Sequence, residues 1–171
     1  LKLKRSRKIV RKRMGTMFNL KQFLKVNERR TAIMGIVNCT GDSFSEGNAS
    51  GAETALDRAL KLLDDGADLL DIGGESTRPG AGEISVELEC GRILPVVLEL
   101  KRLRPSAVLS IDSRKAEVIR RAADSGADIA NDVSMLRFSP ELAKVAAEYR
   151  LALVLSHSRG TPENMRNAEF H

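Results

Sequence analysis

From residue 31 onward, short apolar runs alternate with longer segments in which apolar residues recur at helical spacing. The first run, residues 31–37, is rich in β-branched residues and predicts a buried strand. A polar loop and a helix over residues 52–65 follow it, and the same cycle then repeats. Strands that alternate with helices predict a parallel sheet with right-handed crossovers, so the expected fold class is α/β.

Four more strands and three more helices continue this pattern. We predict the strands at 68–72, 107–111, 128–131 and 151–155, and the helices at 85–103, 114–124 and 140–149. An open doubly wound sheet and a (β/α)8 TIM barrel compete, but GxGxxG and GxxxxGK[ST] phosphate loops do not occur. Polar loops follow most of the strands and would share one face of a barrel, so we favour the barrel. Since a barrel typically needs about 250 residues, we expect one truncated after about the fifth strand.

Single residues predict where some helices begin, bend or end. Ser50 and Glu53 have the spacing of a capping box at the start of the first predicted helix. Gly66 and Gly126 stand where a glycine in the left-handed conformation ends a helix. Pro95 lies inside the segment 85–103 and predicts a kink or break there.

The net charge of +5 conceals an uneven distribution. Eight of the 28 basic residues and none of the 23 acidic ones lie in residues 1–13, so the remainder is slightly acidic. We divide the chain into a basic tail and lead-in at 1–30, with the tail disordered, and a partial barrel domain at 31–171. A nucleic-acid arm or a targeting peptide is the alternative for the tail, and the body gives no reason to expect nucleic acid.

Two compositional features bear on where the chain works. No apolar run reaches 18 residues, so we expect no transmembrane helix and no membrane partner. Cys39 and Cys90 show neither a disulfide framework nor metal-ligand spacing. This cysteine usage fits a reducing compartment, and we therefore expect a cytoplasmic protein.

Polar side chains gather at the carboxyl ends of all five predicted strands, where a barrel would bring them into one pocket. They are Asn38, Asp42, Asp71, Glu75, Thr77, Arg78, Asp112, Ser113, Asn131, Asp132, His157 and Arg159. Purely structural roles exist for several of them. These are a helix cap for Ser113, loop anchoring for Asp71, a turn for Asp132, a core position for His157 and an apolar filler role for the neighbouring Cys39. Because the set recurs at five successive strand ends, we predict a functional site.

The loop chemistry indicates a phosphorylated heterocycle as substrate. Residues 73–80 combine glycines, hydroxyl groups and one guanidinium, a set that suits phosphate or pyrophosphate. Asn38, with the acids of its loop, suits Mg²⁺ bound to a diphosphate. Asp112 beside Asn131 suits a ring with several N–H donors and acceptors. The residues therefore predict a Mg²⁺-assisted transferase that acts on a heterocyclic diphosphate.

Five ordered motifs between residues 34 and 165 resemble those of the dihydropteroate synthases. They are MGIVNCTGDSFSEG at 34–47, DIGGESTRPGA at 71–81, SIDS at 110–113, ANDVS at 130–134 and HSRGTP at 157–162. The resemblance implies a (β/α)8 barrel enzyme of folate biosynthesis, which joins 4-aminobenzoate to 6-hydroxymethyl-7,8-dihydropterin diphosphate and releases pyrophosphate. The chain departs from the family at Gly41, where proline is common, and we expect a more flexible first loop.

The resemblance also implies roles for individual residues. Asn38 would be a ligand of Mg²⁺, Thr77 would bind the diphosphate ester, and Asp112 and Asn131 would bind the pterin ring. The remaining implied site residues are the catalytic Asp42 and Arg78, the aminobenzoate walls Phe44 and Pro79, and the substrate contacts His157 and Arg159. Sulfonamides mimic aminobenzoate in that pocket.

Three alternatives to the synthase stay open. They are a methyltransferase barrel that binds a pterin, a non-catalytic pterin-binding fragment or half-barrel that needs a partner chain, and a nucleic-acid module that uses the tail. The run 75–79 argues against the methyltransferase, which should lack it. Five strands do not close a barrel, so we expect the chain alone to be poorly soluble and inactive. We expect a homodimer or a completing chain to cover the open sheet edges.

Overall fold

The computed structural model describes residues 18–26, 30–40, 49–76 and 82–156, without the side chains of residue 26 and residues 49–53. Its elements, in chain order, are α1 Leu20–Val26, β1 Met34–Asn38, α2 Ala49–Asp64, β2 Leu69–Gly73, α3 Val86–Leu103, β3 Val108–Asp112, α4 Ala116–Ser125, β4 Ile129–Asp132, α5 Glu141–Tyr149 and β5 Ala152–Leu155. Every predicted strand and helix is present, with its ends shifted by three residues at most. Sequence patterns did not predict α1, and the basic tail lies outside the described residues.

The five strands form one parallel sheet in the order β1-β2-β3-β4-β5. Each strand pairs with the one that follows it along the chain, and a helix joins each pair. A doubly wound sheet reverses its strand order at a switch point, whereas a (β/α)8 barrel keeps sequential order. The described part of the chain is therefore an arc of such a barrel, which confirms the predicted fold class.

Helices α2 to α5 cover one face of the sheet. The hydrophobic core lies between these helices and the sheet. Alternate strand residues such as Val37, Ile72 and Ile111 are fully buried in this core. Burial of one such aliphatic side chain contributes about 1.5–3 kcal/mol. The other face, which is the interior in a closed barrel, carries Ile36 and Val154, both more than 40% exposed.

The prediction that residues 31–37 form a buried strand is wrong. Only Gly35 and Val37 are buried within β1, and they alternate with exposed residues. The reason is that β1 lies at the edge of the described sheet, and helices cover only one of its faces. Among the described residues, none of the helices combines the length and apolar character needed to cross a lipid bilayer.

The two glycine signals hold, the capping box does not, and the helix that contains the proline is unbroken. Gly66 and Gly126 adopt φ values of 103° and 114°, as predicted for glycines that end α2 and α4. Ser50 is not an N-cap, because α2 already begins at Ala49. Pro95 does not break α3, since Pro95 and Gly91 are both exposed and water can bind the carbonyl that loses its helical donor.

Candidate ligand-binding site at the carboxyl edge of the sheet

One row of the sheet brings three predicted site residues into line. The register pairs Asn38 with Gly73, Gly73 with Asp112, and Asp112 with Asn131. Neighbouring strands in a sheet lie about 4.8 Å apart, so the row crosses four strands at one level. Asn38, Asp112 and Asn131 therefore lie together at the carboxyl edge, on the face turned away from the helices.

Gly73 keeps this row open between Asn38 and Asp112. A Cβ atom at Gly73 would lie 3.5 Å from both Cβ and Oδ2 of Asp112. Any larger side chain would therefore fill the space in front of the Asp112 carboxyl group. The glycine leaves that carboxyl group room to meet a ligand.

Asp71 lies one layer below this row and contacts Asn131 across β3. The side-chain Nδ2 of Asn131 donates a hydrogen bond of 3.0 Å to Asp71 Oδ2. Strands β2 and β4 are not neighbours, so this contact requires a concave inner face, as in a barrel whose alternate strands form layers. The partner of Asp71 among the described residues is this side-chain amide, and its interpretation as an anchor for loop N–H groups stays a prediction, because much of the adjoining loops lies outside the described residues.

Two atoms of this buried pair have no hydrogen-bond partner among the described residues. They are Oδ1 of Asp71 and Oδ1 of Asn131. An unsatisfied buried polar atom costs about 1–3 kcal/mol, and proteins retain few of them. Unused acceptors on the inner face are the kind of group that a ligand with N–H donors satisfies.

Asp112 is a carboxyl group with a strongly raised pKa at this edge. Burial, and then the negative charges of Asp71, Glu89, Asp132 and Glu75, raise its pKa to about 7. The carboxyl group is therefore close to half protonated at neutral pH. It can accept a hydrogen bond from a ligand or donate one to it.

A cluster of charged residues fixes the start of the β2–α3 connection. The buried Lys115 donates to Glu89 Oε2 over 2.8 Å and also to Glu75 Oε2. Arg114 Nη2 donates to Glu75 Oε1 over 2.9 Å, and its guanidinium lies 4.1 Å from the centre of the Phe138 ring. Burial alone would lower the pKa of Lys115, but the hydrogen bonds to Glu75 and Glu89 outweigh burial and raise it.

Gly74 packs the same connection against α3. A Cβ atom there would lie 2.9 Å from Ile93 Cγ2 and 3.2 Å from the Glu89 carbonyl oxygen, so only glycine fits. Arg92 Nη1 donates to the Gly74 carbonyl over 2.8 Å. The sequence reasoning overlooked Arg92 and the charged cluster. The available signals were Glu89, which stands between Leu88 and Cys90, and the basic pair Arg114 and Lys115, which follows Ser113.

Two structural roles suggested by the sequence, those of Asp132 and Cys39, are present, and a third is not. Asp132 accepts from the backbone N–H groups of Ser134 and Leu136 at 2.8 and 2.6 Å, and so acts as a turn residue. Ser113 Oγ accepts from the N–H of Lys115 at 3.2 Å, but Lys115 is itself the N-cap of α4 and makes no side-chain cap hydrogen bond, so the prediction of Ser113 as the cap is wrong. Cys39 is fully buried, and burial raises the pKa of its thiol to about 12, so it is an apolar filler.

Asn38, the predicted ligand of Mg²⁺, lies within the described part of the chain. It is exposed at the end of β1, and no group of three or more His, Cys, Asp or Glu residues in the described ranges could hold a metal ion. Mg²⁺ commonly takes one or two protein oxygens and completes its shell with phosphate and water. The exposed amide of Asn38, at the end of the row that contains Asp112, fits that requirement.

Seven predicted site residues lie outside the described part of the chain. They are Asp42, Phe44, Thr77, Arg78, Pro79, His157 and Arg159. Their roles stay predictions.

Comparison with known proteins identifies the family. A family described as pterin binding enzyme matches residues 34–171. The curated dihydropteroate synthase of Synechocystis sp. is 42% identical over 140 residues, which are 81% of this chain and 48% of that protein. The chain thus spans about half the length of this relative.

Solved structures give the same result. Yersinia pestis dihydropteroate synthase, in a complex with a sulfonamide drug, shares 42% identity and a TM-score of 0.74 over 84% of this chain and 52% of that one. Xanthomonas albilineans dihydropteroate synthase with 4-aminobenzoic acid shares 43% identity and a TM-score of 0.72 over 83% of this chain and 50% of that one. The resemblance seen in the motifs is confirmed, and the chain belongs to the pterin binding enzyme family.

Proposed function

We propose that this chain supplies the pterin-binding and diphosphate-binding strand ends of a dihydropteroate synthase. In that reaction the amine nitrogen of 4-aminobenzoate bonds to the methylene carbon of 6-hydroxymethyl-7,8-dihydropterin diphosphate. The bond from that carbon to oxygen breaks, pyrophosphate leaves and the nitrogen loses a proton. The observation that carries the proposal is the row of Asn38, Gly73, Asp112 and Asn131 above the buried Asp71.

The pterin ring is the group that this row suits best. The pterin offers ring and exocyclic N–H donors, and the inner face offers the Asp112 carboxyl group and the unused oxygen of Asn131. Because the pKa of Asp112 is about 7, its carboxylate form is available at neutral pH to accept such a donor. Asp112 and Asn131 therefore bind and orient the ring.

The diphosphate belongs above the row, near the ends of β1 and β2. Asn38 would hold Mg²⁺, which supplies positive charge for the departing pyrophosphate when bound. Glu75, fixed by Arg114 and Lys115, sets where the chain leaves β2 toward Thr77 and Arg78. We assign the diphosphate to Thr77 and Arg78 from the motif that they share with the family.

Ligand titration of the purified chain tests this proposal. Isothermal titration with 6-hydroxymethyl-7,8-dihydropterin diphosphate and Mg²⁺ should give saturable binding to the chain. Asn131→Ala should weaken it about fivefold or more, since a buried group that loses its hydrogen-bond partner costs about 1–3 kcal/mol. Asp65→Asn is the matched control, because Asp65 is exposed and pairs with Lys61 at the end of α2.

The outcomes separate the candidate functions. Binding with pyrophosphate release on addition of 4-aminobenzoate supports the synthase. Binding without release would favour a pterin-binding chain that is not catalytic by itself. Absence of saturable binding, or equal binding by Asn131→Ala, would refute the assignment of the pterin to this row.

A further inference from the structure

Asp71 and Asn131 form a buried pair, and their contact also fixes the orientation of the Asn131 side-chain amide. Their residue exposures are 5% and 9%, and 60 positions of sequence separate them. Asn131 belongs to the row of strand ends to which we assign the pterin, and Asp71 lies one layer below it. Asn131 is thus the link between the ligand site and the buried carboxyl group of Asp71.

An asparagine amide has two nearly isosteric orientations, which exchange its oxygen and its NH₂ group. A carboxylate oxygen only accepts hydrogen bonds, so the Nδ2 of Asn131 must face Asp71 Oδ2. The reverse orientation would place two acceptor oxygens against each other in a buried region, where such a contact is most costly. The group left over is Oδ1 of Asn131, which has no hydrogen-bond partner within the described part of the chain.

We propose that Asp71 is a positioning residue that locks the amide of Asn131 with its oxygen available to the ligand. This arrangement selects a heterocycle that presents an N–H donor to Asn131 over one that presents an acceptor. The identity of the heterocycle as a pterin rests on the proposed function. The locking itself depends only on the contact between Asp71 and Asn131.

Two variants separate positioning from simple stabilisation. Asp71→Asn keeps the shape of the side chain but offers both a donor and an acceptor, so both amide orientations of Asn131 become allowed. Asp71→Asn combined with Asn131→Asp exchanges the two groups. The new amide at position 71 then donates to the new carboxylate at position 131, which keeps an acceptor oxygen for the ligand. Recovery of binding by this exchange would therefore show that the ligand needs the acceptor oxygen at position 131 and not the carboxylate at position 71.

The binding experiment uses the full chain and 6-hydroxymethyl-7,8-dihydropterin, followed by its fluorescence. We expect Asp71→Asn to bind about tenfold more weakly, and the exchanged double variant to recover most of that loss. The matched control Asp65→Asn, an exposed residue, should bind like the parent chain. The proposal is overturned if Asp71→Asn binds like the parent, or if the folded double variant recovers nothing.

A measurement on the free protein distinguishes failure of this proposal from failure of the proposed function. In nuclear magnetic resonance spectra, the side-chain NH₂ protons of Asn131 should exchange slowly with solvent in the parent chain and faster in Asp71→Asn. Slow exchange without any pterin binding would preserve the positioning role and refute the proposed function. Fast exchange in the parent chain would refute the positioning role, even if Asp71→Asn does not fold.

Discussion

Lys115→Met should destabilise the protein more than the removal of a charged group from any exposed residue. The substitution keeps much of the side-chain volume but takes the ammonium group from between Glu75 and Glu89. Glu89 is fully buried, and its Oε1 already lacks a described partner. Removal of one member of a buried ion pair typically costs about 3–5 kcal/mol.

The structure places the expected value at the lower end of that range. Arg114 still holds Glu75 at 2.9 Å after the substitution, so only Glu89 loses its described cation. We therefore expect the free energy of unfolding to fall by about 3 kcal/mol. Urea unfolding followed by circular dichroism measures this value.

Two further variants test the physical reasoning. Lys61→Met removes the same group from an exposed pair with Asp65 and should cost about 0.5 kcal/mol or less. Lys115→Met combined with Glu89→Leu removes the stranded charge and should recover about 2 kcal/mol of the loss. A loss below about 1 kcal/mol for Lys115→Met, or no recovery in the double variant, would refute the assignment of a buried charge network.

Three further predictions concern single residues near the site. Asp112→Asn should stabilise the protein by about 2 kcal/mol more at pH 8 than at pH 5, as measured by urea unfolding. The reason is that burial, followed by Asp71, raises the pKa of Asp112 to about 7, so the folded parent loses stability as the pH rises from about 4 toward 7. Gly74→Ala should cost about 1–3 kcal/mol through overpacking against Ile93, whereas Gly82→Ala, with no atom within 4 Å, should cost almost nothing in the same assay. Asp132→Ala should cost about 2 kcal/mol in thermal unfolding, because the N–H groups of Ser134 and Leu136 lose their acceptor, and equal melting temperatures would contradict this.

From β1 onward, the sequence was sufficient to predict the order of elements, because each of these elements carries its own signal. Periodicity separates strands from helices, and Gly66 and Gly126 mark helix ends through a conformation that other residues adopt only with strain. The same signals also favoured a barrel, because polar residues follow nearly every strand. Such local rules fail where an alternative solution exists, as at Pro95, which α3 accommodates on its exposed side.

The site was only partly predictable because contacts between distant residues leave little local trace. The sequence predicted that Asn131 lies at a strand end. Its hydrogen bond to Asp71, however, depends on the curvature of the sheet across β3. Lys115 appeared in the sequence only as one of many basic residues. Its burial between Glu75 and Glu89 follows from the packing of α3 beside β3 and α4, which no pattern of spacing encodes.

The carboxylates at this edge differ in what offsets their charge, and the difference indicates which of them a ligand must meet. Lys115 and Arg114 offset Glu75 and Glu89, and backbone N–H groups satisfy Asp132. Asp71 has the amide of Asn131 as its described partner. Because burial, and then the neighbouring carboxylates, raise the pKa of Asp112, a ligand that brings N–H donors to this carboxyl group offsets both effects and favours its carboxylate form. Binding of a pterin should therefore lower the pKa of Asp112, which carbon-13 resonance titration of its carboxyl group would detect, and an unchanged pKa would place the ring elsewhere.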